Sequence, residues 1–162
     1  MTPEDAIREL VAGAAGGTGV IHADENGPRP AKPYIQFRIE GAHRFPLQRG
    51  AVDDAGEQQV IAHRDASVEL QCFGKGSFDV LDALSQRLGL SEAMNRAEAL
   101  GLAVFDVGRV RPLPVLRDQA AYEPRAVLEL GVRYALAMTD AVGSIDKIGA
   151  ISVVMEGTTA GG

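Results

Sequence analysis

His63-Arg64-Asp65 puts a base, a cation and a carboxylate side by side, the residue types that acid–base or nucleophilic chemistry uses. The flanking residues alternate apolar and polar, however, so the segment is a predicted strand. Neighbouring side chains on a strand leave on opposite faces, and Ser67 is no better placed. His22, His43 and His63 are far apart and lack metal-ligand spacing. Each reads as a surface or hydrogen-bonded histidine. Asp79 and Asp82 share a helix face at i, i+3, where paired carboxylates could do acid–base work. Acids near a helix N-terminus are also simply stabilised by the dipole, and that reading is preferred. Asp53-Asp54 reads as solvated charge.

Two glycine clusters invite a phosphate-binding reading. Gly16-Gly17-Thr18-Gly19 follows a predicted helix and precedes a strand, the reverse of what a dinucleotide loop needs. It reads as a helix stop. Gly74-Lys75-Gly76-Ser77 does lie between strand and helix, but the arc is too short to wrap a phosphate. It reads as a tight turn with Ser77 as cap. Cys72 is the only cysteine, so no intramolecular disulfide is possible, and its place on an apolar strand face marks it as a small buried hydrophobe. Arg109, Arg111, Arg117, Arg125 and Arg133 form one basic-rich zone of 25 residues. They could contact a neighbouring acidic subunit, form a solvated face or touch DNA; subunit contacts are favoured. Interleaved aromatics that would support single-strand binding are missing there. No cofactor and no metal are expected.

These side chains need elements to hold them. From Arg64 to Leu88 the apolar period changes: Ala66, Val68, Leu70 and Cys72 recur every second residue, then Phe78, Leu81, Leu84 and Leu88 every third or fourth. A strand therefore feeds a helix over 77–88. Thr2-Pro3-Glu4-Asp5 starts an earlier helix, with Ile7, Leu10, Val11 and Ala14 as its buried stripe. Strands are predicted at 20–22, 34–39, 59–73 (one bent strand or two pieces), 103–110, 125–138 and 145–155. A third helix spans 91–100, with Ser91 as cap and Met94, Ala97 and Leu100 inward. Residues 23–33 form a loop stiffened by Pro28, Pro30 and Pro33. Residues 41–57 read as a mobile loop or hairpin tip, and 111–123 as a proline-containing segment with a short turn of helix. Asp140 to Ser144 is a turn. The expected fold is α+β: one domain over 1–156, a mixed, mostly antiparallel sheet flanked by about three helices, with a disordered tail at 157–162.

At 162 residues the chain can bury roughly 70% of the surface its unfolded form exposes. A formal charge of −6 is the opposite of what counterion displacement from duplex nucleic acid requires. No apolar run is long enough to cross a membrane, and acids stand near the N-terminus where a secretion signal would be basic. The chain is expected to be made in the cytoplasm.

Three stretches together resemble a known family. They are Val20-Ile21-His22-Ala23-Asp24-Glu25-Asn26-Gly27-Pro28-Arg29-Pro30 leading into Lys32-Pro33-Tyr34-Ile35; Arg64-Asp65 leading to Val68-Glu69-Leu70-Gln71-Cys72-Phe73-Gly74 and Phe78-Asp79-Val80-Leu81; and Gly101-Leu102-Ala103-Val104 with Val107-Gly108, then 125–134. Across about 5–155 the chain resembles the neck or tail terminator proteins of tailed bacteriophages. The resemblance implies a structural protein of the virion, assembled in the host bacterial cytoplasm and without catalysis. It implies a hexameric ring that caps the tail tube, ends its polymerisation and offers a docking face to the head–tail connector. The implied partners are further copies of the chain, the tail tube protein, the connector or head-closure protein and, in contractile tails, the sheath. DNA would pass through the bore without specific binding. Six copies at −6 each would carry −36, which would help DNA slide if it faced the bore.

Candidate contacts with other subunits or the tube are Pro28, Arg29, Pro30, Arg109, Arg111, Arg117 and Arg125, with Ile151 and Val153 on the last predicted strand, whose edge a neighbour could extend. Two alternatives stand beside this reading. One is another neck ring, a head-closure or tail-completion protein. The other is a small enzyme with a site assembled from His63, Asp79 and Arg109, against which stands the lack of any paired nucleophile and base.

Overall fold

Thr2 caps helix α1 (Pro3–Ala14) with a reciprocal capping box: its hydroxyl accepts from the Asp5 amide at 3.1 Å, while the Asp5 carboxylate accepts from the Thr2 backbone. Ile7, Leu10, Val11 and Ala14 are buried as their spacing requires. The chain, seen here as a computed structural model that describes residues 1–118 and 121–143, then forms β1 (Gly19–His22), β2 (Tyr34–Arg44), β3 (Gln48–Val52) and β4 (Glu57–Phe73). Helices α2 (Ser77–Leu88) and α3 (Ser91–Ala99) follow. They lead into β5 (Leu102–Val107), β6 (Arg111–Pro112), β7 (Val115–Asp118), β8 (Ala121–Glu123) and β9 (Arg125–Ala141).

The main sheet runs β1-β2-β4-β9-β5, with β3 on β4 and β6 on β9; β7 and β8 form a separate hairpin. Among the described residues only β1–β2 is parallel; every other pair is antiparallel. The fold is therefore the expected α+β arrangement. The three helices cover one face. Ile35 and Phe37 of β2, Ala66, Val68, Leu70 and Cys72 of β4, and Ala126, Leu128, Leu130 and Val132 of β9 project into the core against α1, α2 and α3. Strand period 2 and helix period 3.6 converge on one interior, which is why the alternation was readable in advance.

Several local expectations need correction. Residue 57 opens one unbroken 17-residue strand, and of the two expectations for 41–57 the hairpin tip holds and the mobile loop does not: β2 runs on to Arg44, and β3 pairs with β4 through a turn at 53–56. Where a turn of helix is expected within 111–123, the described residues Val115–Asp118 and Ala121–Glu123 pair as strands instead, which engages their amides with each other. The N-cap of α2 is Gly76, in the left-handed region at φ 79°, and Ser77 is buried as the first helical residue. Leu90, not Ser91, stands at the cap of α3. Phe78 and Met94, expected inward, are 42% and 56% exposed. The turn expected from Asp140 begins later, since β9 continues to Ala141. The strand expected at 145–155, with Ile151 and Val153, and the tail at 157–162 lie outside the described residues.

Candidate assembly surfaces

The residues with chemical potential do not converge. His63 sits on β4 opposite Ala135, with Nε2 3.4 Å from Gln48 Oε1. Asp79 lies in the first turn of α2, beyond the other end of β4. Ten strand residues, ~33 Å, separate His63 from Phe73, after which α2 begins. Asp65 is engaged by Arg133, whose Nε and Nη2 donate to its two oxygens at 2.6 and 2.7 Å. Those hydrogen bonds hold the Asp65 carboxyl below its ordinary range. Among the described residues no cluster of His, Cys, Asp and Glu could hold a metal.

The glycine clusters are structural. Gly16 and Gly17 take positive φ and end α1. A Cβ on Gly16 would meet the Arg87 guanidinium at 2.5 Å, and Arg87 Nη1 donates to the Ala14 carbonyl at 3.2 Å. Thus α2 supplies the cation that α1 lacks at its negative end. The 74–77 turn closes on itself, with the Ser77 amide donating to the Gly74 carbonyl, and Lys32 fills the space a side chain on Gly74 would need.

Three surfaces remain. The first is the sheet face without helices. Three pairs of its charges meet within the chain: Arg38 with Glu69 at 2.7 Å, Arg111 with Glu129 at 2.8 Å, and Arg133 with Asp65. Arg133 also lies over the rings of Phe45 and Phe105, 5.2 and 5.6 Å from their centroids. Phe105 occupies this face because Gly131 beneath it has no side chain.

The second is the end where β4 stops and β9 starts. Lys32, at the close of the proline loop, pairs with Glu123, and so does Arg125 at 3.3 Å. Lys32, then Arg125, hold the Glu123 carboxyl low. Arg125 stacks 4.4 Å over Phe73, which stacks on Tyr34. The proline loop and part of the arginine zone therefore meet. Pro28 and Arg29 are exposed, and Pro30 packs near Gly19. Arg117 lies on β7 of the hairpin, where Leu116 and Tyr122 are exposed. Arg109, between β5 and β6, is exposed and has no ion-pair partner among the described residues. The five arginines are thus spread over two surfaces and are not one patch.

The third is an arm. Pairing of β5 with β9 stops at Leu102–Tyr134, yet β4 and β9 stay paired to Glu57–Ala141. Seven residues of β9 extend, ~23 Å, with β3 on the far side of β4. Residues 41–57 gave little hint of this. The available signal was strand length: strands usually run 3–10 residues, and two neighbours of 17 must outrun the body they build.

A family model described as phage neck terminator protein matches residues 3–158. The chain belongs to the phage neck terminator family. That places this terminator among structural proteins of the bacteriophage neck, a virion location, where it contacts other head and tail proteins. No curated protein matches the sequence. Among the described residues no helix is long and apolar enough to cross a membrane.

Proposed function

We propose that this neck terminator closes as a homohexameric ring on the end of the tail tube, ends tube polymerisation and presents its other side to the head–tail connector or head-closure protein. It does so without catalysis and without a cofactor. The match to the family over residues 3–158 carries the reading. The geometry suits it. The two ends differ: the arm tip carries Asp53, Asp54 and Glu57, and the other end carries the exposed Arg29 and Lys75 beside the ion-paired Lys32, Arg111 and Arg125. Two unlike ends fit a part that joins two unlike neighbours, and identical copies meeting through unlike surfaces close into a ring when the rotation allows.

DNA passes through the bore without specific binding. If the helix-free face lines the bore, its ion pairs present far less net charge than −6 per subunit. Pro28, Arg29, Pro30, Arg109, Arg111, Arg117 and Arg125 are the proposed contacts with neighbours or tube, and Ile151 and Val153 extend that proposal beyond the described residues. Residues 1–156 form the working unit, made in the host cytoplasm. Contact with a sheath applies to contractile tails.

Polymerising tail tube protein with and without the purified chain tests the reading. The expected result is short tubes with a six-fold ring on one end in negative-stain averages. Unchanged tube length and bare ends would overturn it. Binding to connector ends in place of tube ends would identify a head-closure or tail-completion ring.

A further inference from the structure

On one side of the arm three large apolar side chains stay open to water beside the Arg49–Asp140 ion pair, while Val60 and Ala62 between them are buried. Leu136 and Met138 of β9 lie on the same face as Ala126, Leu128, Leu130 and Val132, beyond the helices that bury those residues. Val52 of β3 joins them through its pairing with Gln58, itself opposite Asp140. Val52, Leu136 and Met138 are 46%, 37% and 66% exposed. Large apolar side chains left open together on one sheet face mark a surface for a partner.

The same molecule carries a matching hollow. Between α3 and β5 lies a groove of about 710 Å³ lined mainly by apolar atoms, among them those of Leu88, Met94, Ala97, Val104, Val107 and Tyr134. Its polar members are His63, Glu98 and Arg133, the last held by Asp65. It follows β5 from Gly101 to Val107, about 16 Å because the bulge at Phe105 shortens the strand, so the arm, ~23 Å beyond β5, would reach past its end. Just past its far end stands the exposed Arg109; at the tip of the arm stand Asp53, Asp54 and Glu57. Asp106, the nearest acid in sequence, faces the other side of the sheet over Gly131.

From this match of polarity and charge we propose that the arm of one copy lies in the α3–β5 groove of the next, its acidic tip against Arg109. The contact is heterologous, arm to groove, so each copy gives one arm and receives one. The inference rests on the ring reading and names the surfaces that would make the ring.

Mixing a Met138→Cys variant with a Met94→Cys variant under mild oxidation tests it. The native Cys72 is buried and serves as a silent background. The expected product is a disulfide-linked dimer in the mixture and none in either variant alone. Charge exchange gives a second measurement: Arg109→Glu should weaken self-association at least tenfold, and adding Asp53→Arg with Asp54→Arg should restore it. Rings that form, alone or on tube ends, without the mixed cross-link overturn the arm-in-groove contact and assign the groove to another occupant, while leaving the ring standing. Monomers that never ring, even on tube ends, overturn the ring reading and this contact together.

Discussion

Asp65 and Cys72, seven residues apart on one strand, show how the surroundings of a side chain set its behaviour. Arg133 donates two hydrogen bonds to Asp65 and so favours its charged form. A carboxyl whose folded pKa lies below its ordinary 3.8 contributes stability above that value and loses it as the pH falls through the depressed one. Asp65→Asn should therefore lower the Tm at neutral pH, and the gap from the parent protein should close in strong acid; thermal melts across an acid series check this. Cys72 faces the core, where burial pushes its thiol up to about 11. Since the thiolate is the reactive form, a disulfide reagent should label native protein very slowly and react fully in denaturant. The odd and even positions of β4 meet water and core respectively, and the chemistry follows.

Elements are fixed here by their ends and closest approaches. The capping box at Thr2 satisfies two amides that the first turn of α1 would leave bare. Thr2→Ala should cost about 1 kcal/mol in chemical denaturation. At Gly108 the chain turns against β9 so closely that an added Cβ would stand 2.8 Å from the Glu129 carbonyl oxygen. The Gly108 amide donates to that same oxygen at 2.8 Å, which fixes the approach. Backbone cannot yield as an exposed side chain can, so Gly108→Ala should destabilise by about 1–3 kcal/mol, read from the denaturation midpoint. The α1–α2–α3 layer is tied at its edges by long side chains: Arg87 on the end of α1, and Arg96 of α3 on Glu9.

For the whole molecule the decisive feature is apolar surface that outlasts its own core. The pattern of β9 continues through Leu136 and Met138 after the helices have ended. Replacing Met138, 66% exposed, with serine removes little that the monomer buries. The Met138→Ser protein should keep its parent's melting temperature within about 2 °C, since surface changes alter stability little, yet self-associate and hold tube ends more weakly. Light scattering and differential scanning calorimetry of one sample separate the two effects. The ion-paired, helix-free face belongs to this scale too, because it presents a nearly neutral surface on an acidic molecule.

The periods of 2 and 3.6 in the sequence determine α1, α2, α3 and the central strands, because burial of one face forces apolar residues into register with the backbone repeat. They also place Ile7, Leu70 and Leu84 inside, and the order of motifs carried the family resemblance. Caps were legible where a side chain makes the bond, as at Thr2, and not where backbone geometry does, as at Gly76. The β3 strand was invisible, since Gln48-Arg49-Gly50-Ala51-Val52 has no alternation of its own and owes its form to pairing with β4. Only the tertiary structure decided which charges are paired: Asp65 with Arg133, and Glu123 with Lys32, are 68 and 91 residues apart. The groove and the arm likewise exist only in three dimensions. They arise where two strands grow longer than the layer that covers them, a relation between elements that no single stretch of sequence contains.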